Sequence, residues 1–266
     1  MNLLLVILAA APAQAQWLGP KPPVPATRIV SLAPSITETV LALGGKDALI
    51  GVSRFCEFPE VEKLPKAGGF NDVSVETIVA LKPQVLVVAK SPGNQKAVET
   101  VARLGISVLA LPLTTVEDVV TAMNELGHLL GKDAEAKALI DELKTAREKE
   151  RAVKAQQPKR VLFVVGFAPL VVAGPGSFAD ELLQDCGAKN AAEKAPTAYP
   201  MYSMEKAVTL VPDVVVDASD VKEGRDAVEK LGAMKKAKWV TVPTKALLHP
   251  GPALAKALPS LCELVR

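Results

Sequence analysis

Two histidines, His128 and His249, and three cysteines, Cys56, Cys186 and Cys262, make up the chain's supply of imidazole and thiol. That is too few for an HExxH or three-histidine zinc site, and it leaves little for a Ser-His-Asp triad. No Walker A motif and no GxGxxG sequence occurs. His128 falls in the helical stretch 124–130, where an imidazole ordinarily packs or faces solvent. The turn Ala173-Gly174-Pro175-Gly176-Ser177 has amides that could hold an anion ahead of a helix, but it lacks a partner lysine and reads as a plain turn. The residue types therefore point to recognition, with no catalytic set, no metal centre and no resident cofactor.

The groups suited to recognition come in pairs. Ser74-x-Glu76-x-x-Val79-x-x-x-Pro83-x-Val85-x-Val87 recurs 129 residues later as Ser203-x-Glu205-x-x-Val208-x-x-x-Pro212-x-Val214-x-Val216. Each copy sets Ser at a helix N-cap and Glu in the first turn, then closes the helix before Pro and starts a strand. A carboxylate so placed gains about 0.3–1 kcal/mol from the helix dipole and needs no further role. The repetition supports a second reading, in which Glu76 and Glu205 are negative knobs on one surface. Rings follow the same symmetry, since Phe70 lies six residues before Glu76 and Tyr199 six before Glu205. With Phe55, Phe58, Phe167 and Tyr202 they fall in loops after strands, the places where α/β sheets hold ligands.

Positioning these residues takes alternating strands and helices. Short β-branched runs at 28–32, 85–89, 108–111, 160–165, 214–217 and 239–242 read as strands with amphipathic helices between them, which predicts α/β layers with mainly parallel sheets. Ser35 with Glu38, and Ser177 with Asp180, have capping-box spacing. From Thr115 to about Gln157 only helical residues occur, broken once at Gly131-Lys132. The last ~24 of them would span about 36 Å, enough to join two domains or to lie solvated on one surface. The expected order is a leader over 1–15, a Pro-rich tether over 16–26, an α/β lobe over 27–114, helices over 115–157 and a second α/β lobe over 158–266.

The 266 residues carry a formal charge of only +2, so no field draws the chain to nucleic acid or an anionic membrane. The start, MNLLLVILAAAPAQAQ, is an apolar run closed by Ala13-Gln14-Ala15, the small-x-small pattern of a signal peptide cleaved before Gln16. The run has about 10 residues, short of the ~20 that span a membrane. Export to an oxidising compartment makes one disulfide and one free thiol the expected state of the three cysteines, with each pairing open.

Taken together, RIVSLAPSITETVLALG (28–44), IGVSRFCEFP (50–59), GGFNDVSVETIVALKPQVLVV (68–88), LGISVLAL (104–111) and SMEKAVTLVPDVVV (203–216) resemble the helical-backbone (class III) periplasmic binding proteins of ABC importers, particularly the cobalamin-binding ones. The resemblance covers nearly the whole mature chain. It implies two α/β lobes bridged by a rigid helix and a ligand between them: cobalamin or a related corrinoid, or on the same fold haem or an iron siderophore. By motif position it makes Pro34, Phe55, Phe70 and Tyr199 ligand contacts and brings His249 near them. Glu76 and Glu205 become permease-docking residues, Cys186 and Cys262 a disulfide, and Cys56 the free thiol. The family often has Tyr or Trp where this chain has Phe55, Phe70 and Tyr199. A charged siderophore would call on Arg54, Lys90 and Lys222, and the chain is expected to act as a monomer. An α/β enzyme or metal-cluster scaffold is the alternative of another class.

Overall fold

The computed structural model describes residues 14–266 apart from Phe70, Val242 and Pro243. Almost all of the expected leader, and Phe70, thus lie outside the described residues. The first lobe runs β1 (Gln16–Leu18), β2 (Ile29–Ser31), α1 (Pro34–Ala42), β3 (Leu49–Val52), α2 (Val75–Leu81), β4 (Val85–Ala89), α3 (Gln95–Arg103) and β5 (Ser107–Leu111). Two helices, α4 (Val116–Leu130) and α5 (Asp133–Ala152), lead to the second lobe. It comprises β6 (Arg160–Phe167), β7 (Leu170–Val172), α6 (Phe178–Asp185), β8 (Lys189–Asn190), β9 (Met201–Tyr202), α7 (Met204–Val208), β10 (Val214–Asp217), α8 (Arg225–Glu229), β11 (Lys238–Thr241) and α9 (Leu254–Val265).

Among the described residues, the first sheet has the order β1-β5-β4-β2-β3 and the second β11-β10-β6-β7-β9, with β8 beside β6. Strands β2 to β5 are mutually parallel, as are β6, β10 and β11. The central strands, VLVVA and VVVD, are buried on both faces, as parallel sheets covered by helices require. The repeat read from sequence is structural: β5-β4-β2 in one lobe corresponds to β11-β10-β6 in the other. Ser74 and Ser203 both cap, accepting from the amides of Thr77 and Lys206.

The bridge between lobes is a helix pair. Thr115 and Asp118 form a capping box for α4, and Gly131, at φ 65°, ends it in the left-handed region that glycine adopts without cost. Val116, Val119, Val120 and Met123 at one end of α4 belong to the second lobe's core, whereas Ala122, Leu126, Leu129 and Leu130 belong to the first's. Helix α5, 20 residues long, does the reverse, with Ala136 in the first core and Ile140 and Leu143 in the second. The long helix expected to do this alone therefore shares the task with α4. Close contact is possible because Gly127 faces Ala136, where an added Cβ would come within 2.4 Å.

Two local expectations are corrected. The Pro-rich stretch is strapped to the lobe and is no free tether, since β1 pairs antiparallel with β5, Ser107 Oγ donates to Pro20 O, and Ala26 N donates to Leu129 O. Ser35 is not an N-cap: Pro34 takes the first position of α1, where its missing N–H costs nothing, and Ala33 is the capping residue without a side-chain bond. Glu38 is consequently free to reach across to the other lobe. Among the described residues no helix is long and apolar enough to cross a membrane.

Candidate functional site

The carboxyl ends of both parallel sheets point into one cleft between the lobes. Pro34 follows β2, Phe55 and Glu57 follow β3, Ala89 ends β4 and Leu113 follows β5. The second lobe supplies Val165 of β6, Phe178 at the start of α6, Tyr199, Asp220 after β10, and Lys245, Leu248, His249 and Pro250 after β11. These residues enclose about 550 Å³, and an adjoining hollow of about 390 Å³ shares Pro34, Phe55, Glu57, Lys245 and His249 while reaching Glu38 and Phe58. That size, with apolar walls and few polar groups, suits a large organic ligand.

The rings differ in freedom. Phe55 is half exposed, with the Arg54 guanidinium 5.1 Å above it. Tyr199 packs on Phe178 with ring centres 6.4 Å apart, and its buried hydroxyl, near Ser177, has no hydrogen bond of ordinary geometry among the described residues. Burial, reinforced by the Glu181 charge, pushes its phenol well above the usual range, so Tyr199 is a neutral group facing the cleft. Two rings expected here lie elsewhere. Phe167 is core, stacked on Trp239 at 6.2 Å, and Tyr202 sits in a separate hollow beside Lys206 and Thr209. Both were drawn away because β6 runs on to Phe167 and Tyr202 pairs with Leu170 in a short antiparallel strand.

Charged groups join the lobes around the cleft. Glu38 Oε1 accepts from Ala253 N, at the start of α9, at 2.8 Å; burial holds its carboxyl above the ordinary value and that bond partly offsets it. Lys245 Nζ donates to Glu57 Oε2 at 2.7 Å and lies 3.6 Å from Asp220 Oδ1. The hydrogen bond lowers the Glu57 pKa and raises that of Lys245, two shifts that agree in keeping both ionised. His249 Nε2 is 3.8 Å from Asp220 Oδ2, and burial pushes its pKa below the ordinary histidine value.

Pro34, Phe55, Tyr199 and His249 thus meet in the cleft, whereas Phe70 is outside the described residues. Glu76 and Glu205 lie away from it, exposed in the first turns of α2 and α7, and among the described residues neither has an ion-pair partner. Cys186 and Cys262 form the disulfide, with Cα atoms 4.8 Å apart in the second lobe's core. Cys56 is buried in the first lobe's core, its thiol 3.2 Å from Thr37 Oγ1 and its pKa raised by burial. Arg54 pairs with Asp72, Lys222 with Asp217 at 2.9 Å, and Lys90 lines a different hollow, so the three do not form a cationic pocket. Sequence reasoning missed Glu38, Glu57, Phe178, Asp220 and Lys245. Glu57 and Lys245 had one local signal, their place beside Phe55 and His249 in loops already singled out.

Residues 29–235, most of the chain and both lobes, match the model of the periplasmic binding protein family. The chain belongs to that family. Like other periplasmic binding proteins it is a solute-binding component of import and not an enzyme. A curated relative, the vitamin B12-binding protein of Yersinia pseudotuberculosis, is 28% identical over 216 residues, which are 80% of this chain and 74% of the relative. A periplasmic haem-binding protein from Pseudomonas aeruginosa superposes with a TM-score of 0.78 at 26% identity, covering 90% of this chain and 92% of that one. The periplasmic vitamin B12-binding protein BtuF of Vibrio cholerae shares the two-lobed fold, with a TM-score of 0.74, 22% identity and coverage of 91% and 98%.

Proposed function

We propose that this chain is exported through its leader, cleaved before Gln16, and as a monomer carries cobalamin or a related corrinoid between its lobes to an ABC permease. The observation that carries the reading is the open interlobe cleft walled by Pro34, Phe55, Phe178 and Tyr199, in a family member that has vitamin B12-binding proteins among its curated relatives. A broad macrocycle buries its faces on such walls and needs only a few hydrogen bonds to be oriented. Glu76 and Glu205, alike in position, exposed and without ion-pair partners among the described residues, are the docking residues; carboxylate–arginine contacts set far apart would orient the carrier on the permease. The second reading keeps the fold and changes the cargo to haem, and the Pseudomonas haem-binding relative favours it.

Titration of the mature protein with cyanocobalamin, haemin and a ferric siderophore separates the cargoes. Trp17 is bonded to Glu125 and Trp239 is stacked on Phe167, so ligand absorbance is a more direct readout than indole fluorescence. Binding of cyanocobalamin at micromolar concentration or below is expected, and its absence would sink the corrinoid assignment.

A further inference from the structure

Among the described residues lining the cleft, Lys245 is the one ammonium and His249 the one imidazole, set against three carboxylates, Glu38, Glu57 and Asp220. Lys245 is already engaged from both lobes, at 2.7 Å by Glu57 and 3.6 Å by Asp220, and Asp220 also faces His249. These pairs are exposed, with side-chain exposures of 71% for Glu57, 56% for Lys245 and 43% for Asp220. Exposed pairs contribute little to folding, so their arrangement bears on what enters the cleft more than on stability. We propose that Glu57 and Asp220 are specificity residues that turn away carboxylate-bearing ligands by occupying Lys245. A macrocycle bearing ionised propionates, such as haem, meets like charges and must first displace Glu57 or Asp220 from the ammonium. A macrocycle edged with neutral amides donates its N–H groups to the same carboxylates. Discrimination of this kind comes from a repulsive element built against the wrong ligand.

The inference rests on the cleft being the ligand site and not on the ligand being cobalamin, so its test uses a pair of porphyrins that differ only in carboxylates. Haemin and haemin dimethyl ester are titrated into the wild type, Glu57→Gln/Asp220→Asn, and the same double variant with Lys245→Ala, each checked for an unchanged thermal midpoint. The double variant is expected to gain about tenfold in affinity for haemin relative to the ester, the strength of one charge-assisted hydrogen bond, and Lys245→Ala is expected to remove the gain. Appearance of haemin binding only in the double variant supports the inference equally. An unchanged haemin-to-ester ratio, no gain of haemin binding, or a gain that survives Lys245→Ala overturns it. Cyanocobalamin binding by the wild type, followed in parallel, reports separately on the cargo.

Discussion

Glu38 is a carboxylate in α1 whose partner, the Ala253 amide, belongs to the opposite lobe. Gly251 lets the two approach, because a Cβ there would meet Glu38 Oε1 at 3.2 Å. Burial raises the folded-state pKa of Glu38 above its unfolded value, so the folded form holds the proton more tightly. Its contribution to stability is therefore most favourable below the unfolded pKa and is lost as pH rises through the folded one. Glu38→Gln keeps the acceptor and removes the buried charge. Urea midpoints should show this variant at least as stable as the wild type at pH 7, with the difference closing toward pH 4; a loss at pH 7 would contradict the account. Cys56 should ignore thiol reagents until the protein unfolds, since it is buried and its thiolate is disfavoured. At this scale the place of Pro34, Phe55 and His249 in the cleft lining was legible where motif and loop coincide. It was silent on Glu38, whose spacing from Ser35 imitates a capping box, because only the other lobe reveals the carboxylate's partner.

Helices α4 and α5 set the distance between the lobes, and α5 is fastened to the second by ion pairs. Asp185, 1% exposed, receives Arg147 and Arg151, while Arg147 also reaches Glu181 at 3.1 Å. Asp185→Ala leaves the mostly buried Arg147 with a lone carboxylate and should cost about 3 kcal/mol in urea unfolding. The disulfide closes 76 residues between α6 and α9, and its reduction should lower stability by up to about 4 kcal/mol in the same assay. The repeated Ser-x-Glu and Pro-x-Val spacing made α2, β4, α7 and β10 legible, since caps and buried runs are local signals. Strands β1, β8 and β9, of two or three residues, were not: their pairing comes from neighbours distant in sequence. The Pro-rich stretch looked like a leash for the same reason, its anchors Leu129 and Ser107 lying far along the chain.

At the scale of the whole molecule, two like lobes face their strand ends to one another and place Glu76 and Glu205 outside the cleft on equivalent helices. On the proposed function, recognition of cargo and recognition of permease fall on different surfaces, and variants should separate them. The lobes were legible in sequence because the repeat is internal to the chain; the charged clasp across them was not, since Glu57 and Lys245 are 188 residues apart. Equilibrium titration with cyanocobalamin of the wild type, Phe55→Ala/Tyr199→Ala and Glu76→Lys/Glu205→Lys tests the division most directly. One ligand per chain is expected, with affinity falling about tenfold or more when the rings are removed and unchanged when the glutamates are reversed. Full affinity without the rings, or loss of affinity on reversing Glu76 and Glu205, would contradict a cargo held between the lobes.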